Sequence, residues 1–442
     1  MGEIARTLAG IVGAARVVTW EEVDVRVQQQ IAAAMDPDLG SKPAVECIVY
    51  PQTQAELAEV MGCVSRDRRR VLPCGAGSKL GWGGLASNVD LVISTARLNR
   101  LVEHAVGDLT FTAEAGSGFA DIQSVLNAQG QFLALDPTWP ETTTLGGIIA
   151  TADAGSLRQR YGGVRDMLLG FSFVRADGQI AKAGGRVVKN VAGYDLMKLF
   201  AGSYGTLGIL SQVTFRAYPQ PEASQTVVLT GTGDAIATAS KTLLASALTP
   251  VAIDLLSPQL VADLELGTGL ALMVQFQSVA ASIQEQSTRL LDLGQRLDLQ
   301  TALYNAADEA VLWQKLKQRM SPTVSESTIT CKIGVLPTAA ADSFLQLDRQ
   351  LPPSAFGLIH VGSGLGKLRL EGEAMQPERI LAMRSHYQSN GGFLSILQAP
   401  STLKQQIDIW GYTGKAFPLM QNLKQKFDPD TLLSPNRFVN GI

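Results

Sequence analysis

Cysteine and histidine are scarce in this chain of 442 residues, which has 4 of the first and 3 of the second. The cysteines are Cys47, Cys63, Cys74 and Cys331, with no CxxC pair among them. That spacing excludes an iron–sulfur cluster ligated by the chain's own thiolates. Free thiols scattered over a long chain suit a reducing compartment, so a cytoplasmic location is expected. The histidines, His104, His360 and His386, form no HxH or HExxH pair, and no metal site is expected. Charge of one sign is also missing. Lys and Arg number 37 against 40 Asp and Glu, a net charge of −3. No global field therefore attracts nucleic acid, and no nucleic-acid partner is expected. Long apolar runs are absent as well: none reaches the roughly 18–20 residues that cross a bilayer. The stretch from Leu8 to Val18 is broken by glycines and Arg16 and preceded by Glu3, which argues against a cleaved signal peptide. Arg6 stands where N-myristoylation wants Ser or Thr.

What is plentiful is glycine, 43 residues, in a chain that is 46% hydrophobic and only 17% charged. Such a composition folds rather than staying disordered, and the length suits two or three domains. Residues 1–40 read as an Ala- and Gln-rich helical lead-in, ended by the turn residues Asp36-Pro37-Asp38-Leu39-Gly40. Cys47–Tyr50 is β-prone and stops at Pro51. Thr53-Gln54-Ala55-Glu56 reads as a capping box for a helix with Leu57, Val60, Met61 and Val64 on one face. The run Arg66–Arg70 reads as a solvated helix end whose cations suit the helix dipole. Further strands are expected at Val71–Pro73, Leu91–Ser94, Thr110–Ala115, Leu168–Arg175 and Ile209–Ala217, with a helix over Ala120–Gln129. Pro219-Gln220-Pro221 is the candidate linker. Beyond it the texture changes. Strands at Thr226–Thr230, Ala271–Phe276 and Thr328–Gly334 alternate with helices near Ile283–Leu297 and Ala339–Leu351, and a last amphipathic helix covers Phe417–Phe427.

Three glycine-bearing segments stand out. The first is Gly75-Ala76-Gly77-Ser78-Lys79-Leu80, continuing to Gly84. Glycine lacks Cβ and tolerates positive φ, so consecutive amides can face one concavity that suits a pyrophosphate. Read alone, it is equally a structural turn. Leu80 occupies the place of the third glycine of a Rossmann GxGxxG, and no GK[ST] makes it a Walker loop. The second runs from Asp136 through Thr144-Leu145-Gly146-Gly147 to Gly155-Ser156, stiffened at its entry by Pro137 and Pro140. Its small side chains permit close approach of a flat ligand or, equally, close helix packing. The third runs from Gly184-Gly185-Arg186 through Lys189 and Tyr194 to Gly205-Thr206-Leu207-Gly208-Ile209.

Together these motifs resemble the vanillyl-alcohol-oxidase / para-cresol-methylhydroxylase (PCMH) superfamily of FAD-binding proteins. The carriers are Pro-x-Gly-x-Gly-Ser at 73–78, Thr-Leu-Gly-Gly at 144–147, Tyr161-Gly162-Gly163-Val164-Arg165-Asp166, Lys189-Asn190-x-x-Gly-Tyr-Asp and Gly205-Thr-Leu-Gly-Ile. Within it the chain is most similar to the smaller flavin subunits of bacterial glycolate oxidase (glycolate dehydrogenase) complexes, through Gly185-Arg-Val-Val-Lys-Asn-Val-Ala-Gly-Tyr-Asp above all. The match is strong over roughly 43–220, is weaker over the second half, and returns at Phe427-Asp428-Pro429 and Pro435-Asn436-Arg437-Phe438.

The resemblance implies an α+β fold: a two-subdomain PCMH-type FAD-binding domain over residues 41–221, an α+β cap with an antiparallel sheet over 222–412, and a segment 413–442 returning to the FAD domain. It also implies site roles. Gly75, Ala76, Gly77, Ser78, Lys79 and Leu80 would cradle the FAD pyrophosphate. Pro137, Thr144, Leu145, Gly146, Gly147, Thr151, Gly155 and Ser156 would line the diphosphate and isoalloxazine path, and Ile209 would contact the adenine or ribitol side. Ser78-Lys79 stands where relatives with covalent flavin place histidine, so a non-covalent FAD is implied. Tyr204 replaces the glutamate common before Gly-Thr-Leu-Gly. His360-Val361-Gly362-Ser363-Gly364 half-matches a paired-histidine metal motif, and no Glu-His-Gly is present.

The implied activity is oxidation of glycolate or a similar small 2-hydroxy acid. It requires a cation for the carboxylate, a base for the hydroxyl proton and a flavin to receive hydride. Candidates are Lys367 and Arg369 as clamps, His360 as base, and Lys189 and Tyr194 beside the flavin wall. A structural role is the favoured account for Lys367 and Arg369, which alternate with Leu368 and Leu370 as on a strand with one wet face, and for His360 as a hydrogen-bonded histidine; for Lys189 and Tyr194 anchoring is an equal account. The implied partners are a larger FAD subunit and an iron–sulfur subunit, with any membrane association indirect through them. Two other readings stay open: a flavin-bearing or assembly subunit that oxidises no substrate, and a sugar or aldonolactone oxidase.

Overall fold

The computed structural model describes residues 2–37, 45–186, 193–321, 327–350 and 354–442, with side chains left aside at 347–350. The chain divides into two compact units. The first comprises Met1–Ala154, Gly163–Pro219 and Tyr412–Ile442; the second comprises Gly155–Gly162 and Gln220–Gly411.

The first unit has two main sheets. Among the described residues the smaller runs in the order Val17–Thr19, Cys47–Val49, Leu91–Ser94, Val71–Cys74. Its first pairing is antiparallel and the others are parallel. Every residue of Cys47–Val49 and Leu91–Ser94 is buried, as expected of strands covered on both faces, which read as continuous apolar runs. Alternate side chains feed different clusters. Cys47, Val49, Leu91 and Ile93 pack with Leu57, Val60, Met61 and Val64 of the helix Gln54–Arg66. Ile48, Leu72 and Val92 pack with Ile31 and Val45. The residues 428–434 cover the exposed edge of this sheet: Val71 N–H donates to Leu432 O at 2.7 Å, and Ser434 N–H donates to Val71 O at 2.9 Å. The second sheet is antiparallel throughout, in the order Leu101–Ala105, Thr110–Glu114, Ile209–Arg216, Leu168–Val174, Ile180–Gly184.

Two local expectations change. The helical lead-in holds helices at Glu3–Val12 and Val25–Ala32, but Val17–Thr19 between them is a strand, because Cys47–Val49 offers it a ladder. The capping box at Thr53 is half made. Thr53 Oγ1 accepts from Glu56 N–H at 3.1 Å, while the Glu56 carboxylate accepts from Gln52 N–H at 2.8 Å and pairs with Arg16 at 2.7 Å. The Glu56 carboxylate thus joins the residues that enter the helix to Arg16.

The second unit is built on one antiparallel sheet of eight strands among the described residues. Its order is Gln300–Asn305, Ala223–Gly231, Leu270–Ser278, Ala252–Leu256, Ala355–His360, Leu365–Glu371, Thr328–Gly334, Phe393–Gln398. Both faces are covered. Leu270, Leu272, Val274 and Phe276 pack on one side with Ile236, Leu243, Ile283 and Leu290 of the helices Gly233–Leu244 and Ala280–Arg296. Ala271 and Met273 face the other side, against Leu260, Leu312 and Leu316. The two-residue period of the strand explains that division. Arg369 and Lys367 sit on the half-buried face of Leu365–Glu371, while Leu368 and Leu370 are buried in the core.

Candidate functional site

In the first unit the glycine segments converge on one trough. It encloses about 760 Å³ of space between atoms, counting the part open to solvent. The strand Val71–Cys74 delivers the chain into the loop of residues 75–80, and Ser94 and Thr95 fix the start of that loop. Ser94 Oγ donates to Gly75 O at 2.9 Å and Thr95 Oγ1 to Cys74 O at 3.2 Å. Gly77 has φ +82°, a left-handed conformation that favours glycine, and a Cβ on Gly75 would collide with the Thr144 side chain. The far wall is the short helix Leu145–Thr151. A Cβ on Gly146 would lie 2.9 Å from the Ala115 carbonyl, so only glycine lets the helix approach that closely.

The donors of this helix are spent inside the protein. Leu145 N–H donates to Ser117 O at 3.0 Å, Gly146 N–H to Ala115 O at 2.7 Å and Gly147 N–H to Thr144 Oγ1 at 3.2 Å. The opposite holds across the trough. The N–H groups of Ala76, Gly77 and Ser78 donate to no group among the described residues. Three consecutive uncommitted amides on a glycine loop form a concavity for an anion.

Two cationic side chains line the trough, Lys79 and Arg437, and no carboxylate does among the described residues. They differ in what surrounds them. Lys79 Nζ pairs with Asp153 Oδ2 at 3.2 Å and contacts Thr143 Oγ1; both partners of the pair are buried. Asp153 is itself held, accepting from Thr138 N–H at 2.7 Å and Thr138 Oγ1 at 3.1 Å. Arg437 is 3% exposed and donates to three backbone carbonyls, Trp82 at 2.7 Å, Gly84 at 2.9 Å and Ala34 at 3.3 Å. Desolvation lowers its pKa to about 10, against the opposing pull of Tyr204, so it is cationic at neutral pH. Burial pushes the Tyr204 phenol up, and the Cys74 thiol up to about 12. Both are neutral at physiological pH.

The trough brings together Gly75–Leu80, Thr144, Gly146, Gly147, Thr151 and Ile209 from the residues picked in sequence. Pro137, Leu145, Gly155 and Ser156 are not among its lining residues; Pro137 and Leu145 are buried in the first unit, and Gly155 and Ser156 fall in the second. Tyr194 is 91% exposed, and Lys189 lies outside the described residues. Sequence reasoning missed Thr95, Ser203, Tyr204 and Arg437 as lining residues. A lone arginine in the turn-rich stretch Pro435–Phe438 was the available signal for the last.

The second unit holds a separate polar cluster. Asp254 and His360 are direct cross-strand partners in neighbouring strands, and Asp254 is fully buried. His360 Nδ1 lies 2.7 Å from Asp254 Oδ1, and Ser156 Oγ donates to Asp254 Oδ2 at 2.5 Å. With Nδ1–H donated to the carboxylate, the neutral ring carries its lone pair on Nε2. Arg369 is committed elsewhere: Nε donates to Glu371 at 2.9 Å, and Nη1 donates to the carbonyls of Arg319 and Ser321 at 3.0 and 3.1 Å. Among the described residues no three His, Cys, Asp or Glu side chains gather as a metal site, and no helix is long and apolar enough to cross a membrane.

The free amides, the clash-limited glycines and the cationic lining fit a dinucleotide, and the comparison with known proteins agrees. Residues 45–184 match the FAD binding domain family. The fold as a whole is like that of p-cresol methylhydroxylase with substrate bound, at TM-score 0.76 and 13% identity, covering 98% of this chain and 96% of that one. Among curated relatives, glycolate oxidase subunit GlcE of Escherichia coli (strain K12) is 35% identical over 173 residues, 39% of this chain and 49% of the relative. Glycolate oxidase subunit GlcD of Bacillus subtilis (strain 168) is 31% identical over 221 residues, 50% of this chain and 47% of the relative. The chain thus spans about half the length of these relatives.

Proposed function

We propose that the chain is an FAD-dependent oxidoreductase subunit that oxidises glycolate or a similar small 2-hydroxy acid within a multi-subunit complex. The observation that carries the cofactor half is the run of free amides at Ala76–Ser78 in a trough without carboxylates. The substrate class is supported by the relatives named glycolate oxidase subunits, and by D-lactate dehydrogenase [cytochrome] of Arabidopsis thaliana, 30% identical over 183 residues. Gly75–Leu80, Thr144, Gly146, Gly147, Thr151 and Ile209 hold the FAD in this reading. In this reading it is held non-covalently, since Ser78-Lys79 stands where relatives with covalent flavin place histidine.

When bound, FAD supplies the acceptor for the two electrons of the reaction. The chain must then supply a cation for the carboxylate and a group to accept the hydroxyl proton. His360 is that group in this reading, with Asp254 occupying Nδ1 and fixing the ring so that Nε2 is the acceptor. Onward electron transfer goes to an iron–sulfur partner subunit, since the cysteine spacing supplies no cluster. Any membrane association is through partners.

A second reading has an observation in its favour. Arg369, the arginine picked as carboxylate clamp, spends its guanidinium on Glu371 and two carbonyls. That favours a flavin-bearing subunit whose partner performs the oxidation. Anaerobic addition of glycolate to the purified chain decides between them. Bleaching of the flavin absorbance supports the catalytic reading. A yellow protein that bleaches only after its partner subunits are added refutes it, and a colourless folded protein refutes the cofactor assignment.

A further inference from the structure

We infer that Arg437 supplies the positive charge of the anion cradle, completing for a dinucleotide diphosphate what the loop of residues 75–78 begins with neutral amides. The inference rests on the FAD reading of the trough and is independent of the substrate.

Three observations point to it. The first is that Lys79 cannot serve. Its ammonium faces Asp153 at 3.2 Å in a buried pair, so the net charge it brings to the trough is close to zero. The second is that Arg437 has no such partner. Among the described residues no carboxylate pairs with it, and its contacts are carbonyl dipoles. A buried cation held only by dipoles keeps a large desolvation cost. Of its five N–H donors, three are engaged in these bonds, and Nε is buried without a partner. The third is placement. Arg437 lines the trough and is bonded reciprocally to the end of the glycine loop: its guanidinium takes the carbonyls of Trp82 and Gly84, and its own carbonyl accepts from Gly84 N–H at 2.9 Å. The loop amides and Arg437 line the same trough, so an anion bound there meets a cation that no carboxylate neutralises among the described residues. FAD carries such an anion at every redox level of its flavin, whereas riboflavin carries none.

The test is a calorimetric titration of the flavin-free protein with FAD, ADP and riboflavin, for wild type, R437Q and R437K, at low and high salt. The wild type is expected to bind FAD far more tightly than riboflavin and to bind ADP measurably. R437Q should weaken FAD and ADP by about ten- to a hundredfold, the range of a charge-assisted contact, and leave riboflavin unchanged. R437K should recover part of the loss. A folded R437Q that binds FAD and ADP like wild type overturns the inference, as does an equal loss for riboflavin. Should R437Q not fold, the wild type alone decides. Its FAD affinity must fall with salt while its riboflavin affinity holds, and an equal salt response refutes the role. Loss of all flavin binding in the wild type would overturn the cofactor reading with it. A protein that binds FAD as expected but is not bleached by glycolate would overturn the substrate reading alone.

Discussion

Replacing Asp153 by Asn tests the electrostatics of the trough floor most sharply. The substitution keeps the volume and one of the two acceptor oxygens for Thr138, and removes the charge opposite Lys79. The pair is 3.2 Å apart with side-chain exposures of 4% and 2%, so water cannot take over the lost partner. Stranding one member of a buried pair costs about 3–5 kcal/mol, whereas replacing both members by apolar groups of similar volume costs far less. Against a total stability of about 5–15 kcal/mol for a folded domain, the single change is large. The local fluorophores suit the assay: Trp82 lies 5.9 Å from Trp139, and Lys79 Nζ sits 5.8 Å from the Trp82 ring centre. Urea unfolding followed by tryptophan emission should show D153N destabilised by about 3 kcal/mol or more, and the double variant K79M/D153L recovering most of the loss. A D153N cost below about 1 kcal/mol, as for an exposed pair, would refute the account. So would a double variant no better than D153N.

Other outcomes follow from single contacts. Gly146→Val places Cβ 2.9 Å from the Ala115 carbonyl; the purified variant should lose its flavin absorbance, and full retention would contradict the cofactor map. In the catalytic reading, His360→Gln should slow anaerobic flavin reduction by about 10²–10⁴-fold with FAD affinity intact, and Asp254→Asn should alter the pH profile of that step. An unchanged reduction rate in H360Q would remove His360 from the chemistry. Burial pushes the thiols of Cys47 and Cys331 up to about 12. Between the unfolded thiol value near 9 and the folded value, the folded chain holds protons that the unfolded chain releases. Stability is therefore complete below about pH 9 and falls above it, by about 3 kcal/mol per pH unit for the two together. Thermal melts of C47A and C331A should show a shallower decline between pH 9 and 11; identical slopes would refute the linkage.

Much of this architecture was legible in the residues, for reasons that differ from place to place. The strands Leu91–Ser94 and Thr328–Gly334 and the helix Phe417–Phe427 lie where local patterning puts them, because apolar period and flanking turns act over a few residues. The glycine loop was legible because close approach and positive φ leave a mark in composition. What stayed hidden depends on partners distant in sequence. Val17–Thr19 is a strand only because Cys47–Val49 pairs with it. Asp254 sits in an apolar run, Ala252–Leu256, and acquires its meaning from the register that sets His360 opposite. Nothing near Lys79 announces Asp153, and the stretch Pro435–Phe438 marks a return to the FAD domain without announcing the carbonyls of Ala34, Trp82 and Gly84 that Arg437 takes.

The clasp made by residues 428–437 also has a consequence for biosynthesis. The trough joins Ala34, Trp82 and Gly84 to a guanidinium more than 350 residues away in sequence. The intervening second unit must leave the ribosome before Arg437 can dock. Contacts of such long sequence separation form late and slowly. A chain that stops short of residue 437 therefore has the glycine loop without the guanidinium that ties Ala34, Trp82 and Gly84 together.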